Sequence, residues 1–215
     1  MMAGPVTAFL GLGANVGDTL ATLTAALGRI GGLPDVSLVD VSGVYRTPPW
    51  PGPDDPRAVT QQDFHNLVVR IETTRSPEEL LDDVQRIEAE FGRDRDRETR
   101  WGPRPLDVDV LLYADVACDT PRLTLPHPRL AERAFVLIPL LEVYPGGQLP
   151  DGRRIVRLAM EADATGIELD VRLAGLPGRI ERPEGPAGPG ASFGRPDVDD
   201  VAQQHGRGRG TDATL

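Results

Sequence analysis

The chain of 215 residues carries 33 acidic and 23 basic residues, a formal charge of −10. Every basic residue is arginine, which excludes amine nucleophiles and Schiff bases and makes each cationic contact a guanidinium. A single cysteine, Cys118, excludes an intrachain disulfide and a cysteine-built zinc site, and the negative charge disfavours a nucleic-acid partner unless positive charge is gathered in one place.

In chain order, the apolar run at 7–12 predicts a strand that ends in the glycine-rich turn 13–17. Asp18 or Thr19 then caps a helix whose Leu20, Leu23, Leu27 and Ile30 recur at helical spacing, and Gly31 and Gly32 stop it. β-Branched residues over 36–45 predict one continuous second strand, 47–63 reads as a Pro- and Asp-rich loop, and 66–72 as a third strand. The next helix is the best punctuated. Ser76 caps it, Pro77 takes its first position, Glu79 completes a capping box, and Leu80, Val84, Ile87 and Phe91 form its apolar stripe before Gly92. An arginine-rich loop leads into an alternating strand at 106–112, and a third helix is expected over 128–141, with Pro139 kinking or ending it.

The order βαββαβ predicts an α+β fold, a ferredoxin-like sandwich of an antiparallel sheet with two helices on one face, and an additional C-terminal helix. Domain 1–175 is followed by a Gly- and Pro-rich tail, 176–215, whose composition cannot bury enough apolar surface to order itself. The apolar run 134–141 is far short of the roughly 20 residues that cross a bilayer, so a soluble, cytoplasmic protein with no membrane partner is expected.

The chemistry concentrates after the second helix. Asp107 and Asp109, two apart in a strand, share one face about 7 Å apart, while Leu106, Val108 and Val110 take the other. A solvated sheet edge is one reading of such a pair; a Mg²⁺ site is the other, because a hard cation relieves the repulsion between two carboxylates. Arg93, Arg95, Arg97, Arg100 and Arg104 crowd the preceding loop among Asp94, Asp96 and Glu98, as a salt-bridged surface or as bidentate donors for phosphate. His127 is fixed between Pro126 and Pro128, with Arg129 and Arg133 following. Thr47, Trp50 and Asn66 bring a hydroxyl, an indole and an amide to the long loop, groups suited to a flat heterocycle.

The segments Tyr45-Arg-Thr-Pro-Pro, Phe64-His-Asn66, Arg100-Trp-Gly-Pro-Arg-Pro-Leu-Asp-Val-Asp109 and Leu125-Pro-His-Pro-Arg-Leu-Ala-Glu-Arg-Ala-Phe135 together resemble the 6-hydroxymethyl-7,8-dihydropterin pyrophosphokinase family of folate biosynthesis, over about two thirds of the chain. The resemblance implies a monomeric ferredoxin-like enzyme that transfers pyrophosphate from ATP to the pterin hydroxymethyl group and releases AMP. It implies that Asp107 and Asp109 hold two Mg²⁺ ions and that Arg93 and Arg95 assist transfer. Gln85, Glu88, Arg104, His127 and Arg133 would serve ATP, and Thr47, Trp50, Asn66 and Phe135 the pterin. Two other readings compete: a different Mg²⁺-dependent phosphoryl or nucleotidyl transferase, and an RNA-binding ferredoxin-like module.

Overall fold

A computed structural model describes residues 4–52, 55–56, 58–97 and 101–173. Apolar alternation builds the central sheet. β1 (Val6–Ala14) lies between β4 (Phe64–Thr73) and β5 (Asp107–Tyr113), antiparallel to both. The far edge of β4 pairs with β2 (Val36–Val41) at one end and β3 (Val44–Thr47) at the other, and β3 in turn pairs with β8 (Glu168–Val171). A short hairpin of β6 (Cys118–Asp119) and β7 (Thr124–Leu125) stands apart.

Helices α1 (Thr19–Gly31) and α2 (Pro77–Glu90) cover one face. Asp18, not Thr19, caps α1 through a hydrogen bond from the Ala21 N–H, and Leu23, Ala26, Leu27 and Ile30 are buried against Leu10, Leu12, Leu67, Val69 and Ile71. The Ser76–Glu79 capping box forms as read, and Leu80, Val84 and Ile87 complete this layer. The opposite face is covered as well. A 3₁₀ turn (Leu130–Glu132), α3 (Ala134–Val143) and α4 (Ile155–Glu161) pack Leu130, Leu137, Leu140, Ile155 and Leu158 on Phe9, Val68 and Leu111.

The structure departs from the sequence expectations at three places. The strand expected over 36–45 breaks at Ser42 and Gly43, because the Ser42 hydroxyl accepts the Val68 N–H and the Gly43 N–H turns to Glu142 in α3. The helix expected over 128–141 begins as the 3₁₀ turn and runs as α3 to Val143, through Pro139. The single additional helix becomes two, α3 and α4, which form a layer of their own. The tail expected over 176–215 lies outside the described residues.

Candidate active site

The β5 alternation decides where the chemistry goes. Val108 and Val110 enter the core beneath α1 and α2, so Asp107 and Asp109 emerge on the α3 side of the sheet. The register places Gly13 opposite Asp107 and Gly11 opposite Asp109, and puts Asn66 across from Gly13 on the other side. A β-carbon at Gly13 would sit 2.5 Å from Asn66 Oδ1, and one at Gly11 3.3 Å from Leu111. The two glycines therefore form a bare backbone floor, and a cleft opens over it. Thr47, Trp50, Asn66, Trp101, Arg104, Asp107, Asp109, Arg133 and Phe135 line that cleft.

Carboxylates and guanidiniums alternate at one end. Asp107 takes Arg93 at Oδ1 and Arg104 at Oδ2, the latter at 2.5 Å. Asp109 Oδ2 accepts from Arg133 at 3.1 Å and lies 3.6 Å from His127 Nε2. The Arg129 N–H donates to the other ring nitrogen of His127 at 3.3 Å, which fixes the imidazole facing Asp109. Behind them Glu88 is only 1% exposed. It accepts the Val108 N–H at 2.8 Å and pairs with both Arg93 and Arg95.

This environment splits the Asp pair. Burial works against ionisation of both. At Asp107 the charges and hydrogen bonds of Arg104 and Arg93 outweigh it, holding the carboxyl below its ordinary value. At Asp109 burial is joined by repulsion from Asp107, and the carboxyl is pushed up despite His127 and Arg133. Burial likewise lowers His127, with Asp109 opposing. A pair of neighbouring carboxylates, one of them raised by the other, is a site that a hard cation would stabilise. Asp109 Oδ1 accepts no hydrogen bond from any described residue, which leaves it an oxygen suited to a hard cation. No group of three or more metal-ligating side chains occurs among the described residues, so a cation held here would draw its remaining ligands from water or substrate.

At the other end Asn66 Nδ2 donates to Thr47 Oγ1 at 2.7 Å. Trp50 meets Trp101 edge to face at 5.1 Å, and Phe135 lies beneath the Arg133 guanidinium, 5.6 Å from it. Of the residues expected from sequence, His127 and Arg93 reach the cleft through Asp109 and Asp107 without lining it, and Gln85, Glu88 and Arg95 do not line it. Gln85 lies on an adjacent groove with Glu88, Arg93 and Arg95. Glu88 is a buried anchor whose two carboxylate oxygens are already taken.

Sequence reading missed Asn15, Gln61 and the glycine floor. Asn15 is buried and joins three segments: its amide donates to Gln61 Oε1 at 2.9 Å and Gln62 O at 3.1 Å, and its oxygen accepts the Arg104 N–H at 2.8 Å. Gln61 continues to the Trp101 carbonyl at 2.7 Å. The available signal was an amide placed directly after a glycine-rich strand, a residue able to satisfy loop backbone from both sides.

Residues 9–145 match the model of the 7,8-dihydro-6-hydroxymethylpterin-pyrophosphokinase (HPPK) family. The chain belongs to this family. It is 44% identical over 162 residues to the 2-amino-4-hydroxy-6-hydroxymethyldihydropteridine pyrophosphokinase of Methylorubrum extorquens, covering 75% of this chain and 96% of that one. It is 41% identical over 160 residues to the protein of the same name from Pseudomonas aeruginosa, covering 74% and 94%. Among solved structures, wild-type Plasmodium falciparum HPPK-DHPS with pteroate aligns with TM-score 0.57 at 14% identity. That alignment covers 73% of this chain but only 42% of the longer HPPK-DHPS chain, and it supports the HPPK fold alone.

Proposed function

We propose that the protein transfers the β,γ-pyrophosphoryl group of ATP to the hydroxymethyl oxygen of 6-hydroxymethyl-7,8-dihydropterin and releases AMP, a step of folate biosynthesis. The carrying observation is the juxtaposition in one cleft of an Asp pair ringed by guanidiniums with a Thr–Asn–aromatic pocket, in a chain of the HPPK family. One end suits a polyphosphate and the other a flat heterocycle with hydrogen-bonding edges.

Asn66 and Thr47 hold the pterin edge, Phe135 stacks on its face, and Trp50 bounds its far side. Arg104, Arg133 and His127 take ATP phosphates. Gln85 lies on the nucleotide side, and buried Glu88 acts through Arg93 and Arg95, which it aims. When polyphosphate enters, Arg93, Arg104 and Arg133 exchange carboxylate for phosphate oxygens. Asp107 and Asp109 would then be the residues to hold two Mg²⁺ ions. Bound Mg²⁺ supplies charge neutralisation at the phosphates and favours the ionised form of the attacking hydroxyl. A bond forms between that oxygen and Pβ while the bond from Pβ to the oxygen bridging to Pα breaks, and AMP leaves with that oxygen. Arg93 and Arg95 stabilise the charge that develops, so catalysis rests on positioning and electrostatics.

A ferredoxin-like topology is supported by the strand order β5-β1-β4 with β2 and β3 on the outer edge of β4, all antiparallel. No described helix is long and apolar enough to cross a membrane, which accords with work in the cytoplasm.

Alanine at Asp107 or at Asp109 is expected to reduce pterin-dependent turnover at least a thousandfold while the thermal midpoint stays within a few degrees. Turnover retained in both variants contradicts the metal assignment.

A further inference from the structure

Three segments far apart in sequence meet beside the pterin end of the cleft, and one side chain touches two of them. Trp50 belongs to the loop after β3, Trp101 to the turn before β5, and Arg129 to the segment ahead of the 3₁₀ turn. The Arg129 guanidinium carbon lies 4.5 Å from the Trp101 ring centre and 5.4 Å from that of Trp50. The two indoles meet edge to face at 5.1 Å, with a 70° angle between their planes. Arg133 extends the series, 5.5 Å from Trp50 and 5.6 Å from Phe135. Cation and ring therefore alternate from Trp101 through Arg129, Trp50 and Arg133 to Phe135.

The two arginines do different work. Arg133 lines the cleft and pairs with Asp109, whereas Arg129 is absent from the cleft wall that Trp50 and Trp101 form. A guanidinium over an indole gains from the negative ring face, and more so where water is displaced. One guanidinium shared by two indoles on separate segments fixes the two rings relative to each other, beside the Gln61 tie to the Trp101 carbonyl. The backbone of Arg129 has a separate task, its N–H donating to His127. Substituting the side chain leaves that donor in place, so the two tasks can be separated by mutation.

We infer that Arg129 is a positioning residue: its guanidinium clasps Trp50 and Trp101 together and so sets the width of the pterin end of the cleft, without touching ATP. The inference rests on the pterin reading for its kinetic consequence but not for its structural one. The chain contains two tryptophans, Trp50 and Trp101, so intrinsic fluorescence reads the two rings of the clasp.

The test compares the wild-type full-length protein with Arg129→Ala and Arg129→Lys. In Arg129→Ala, tryptophan emission should shift to the red by several nanometres, and acrylamide should quench it more efficiently. The KM for pterin should rise about tenfold, the scale of two lost cation–π contacts, while the KM for ATP stays within twofold. Arg129→Lys, which keeps a cation over the rings, should recover most of both effects. Should the alanine variant fail to fold, Arg129→Gln removes the charge at nearly equal length and carries the same expectations. Unchanged emission and quenching overturn the clasp, as does a pterin KM within twofold of wild type or an equal loss on both substrates. A wild-type protein that forms no AMP with pterin fails the functional reading instead, and fluorescence then judges the clasp alone.

Discussion

At the cleft floor the absence of a side chain is as consequential as any functional group. Gly13 carries an ordinary strand conformation, yet a methyl there would meet Asn66 Oδ1 at 2.5 Å. Gly13→Ala is therefore expected to displace the Asn66 amide from Thr47. It should raise the pterin KM about tenfold and cost about 1–2 kcal/mol of stability, read by pterin titration and by urea unfolding. The identity of the Asp pair and its arginines was legible in the sequence because strand alternation and charge spacing are local. The glycine floor was not, since the need for it arises from a cross-strand neighbour 53 positions away. Glu88 shows the same limit. The resemblance implies that it serves ATP, while its burial beneath Val108 and Arg93 is set by how α2 docks on β5 and is not readable from the helix alone.

At the scale of elements, α2 was readable almost to the residue because its capping box, first-turn proline and apolar stripe all act within the helix. The break between β2 and β3 was not. It depends on Glu142, which accepts the Gly43 N–H at 3.2 Å and also pairs with Tyr45 and Arg172, joining α3 to β3 and the end of β8. Burial pushes the Glu142 carboxyl up. Arg172, the Tyr45 hydroxyl and the Gly43 N–H outweigh it and hold the pKa below 4.5. Because the folded pKa is the lower one, the stability this group contributes is complete above about pH 4.5. It is lost as pH falls from there through the folded value. Glu142→Gln should lower stability at neutral pH by about 1–3 kcal/mol. It should also flatten the acid limb of the unfolding curve below about pH 4.5; an acid limb identical to wild type would contradict this role. In the same layer Leu137 is fully buried against the sheet, and Leu137→Ala should cost about 2–5 kcal/mol in urea unfolding.

At the scale of the whole molecule, the sequence conveyed the mixed α/β character, the antiparallel sheet and the membership of a pyrophosphokinase family. It did not convey the second helical layer. The apolar residues at 134–143 lack a one-sided stripe because α3 is buried on the sheet and against α4 together. Nor did it convey that loops of different origin are tied into one wall by Asn15, Gln61 and Arg129, since each tie is a long-range contact of a polar side chain. The described residues that line the cleft lie within 1–175. Deleting 176–215 should therefore leave pterin-dependent turnover within twofold of the full chain, measured at saturating substrates.

The central claim is that the Asp–Arg end and the pterin end serve one reaction. Incubating the protein with ATP and Mg²⁺, with and without 6-hydroxymethyl-7,8-dihydropterin, and separating the nucleotide products tests it directly. The account predicts AMP, formed only when pterin is present and in equal amount to pyrophosphorylated pterin. ADP as the product, or AMP formed equally without pterin, would contradict it.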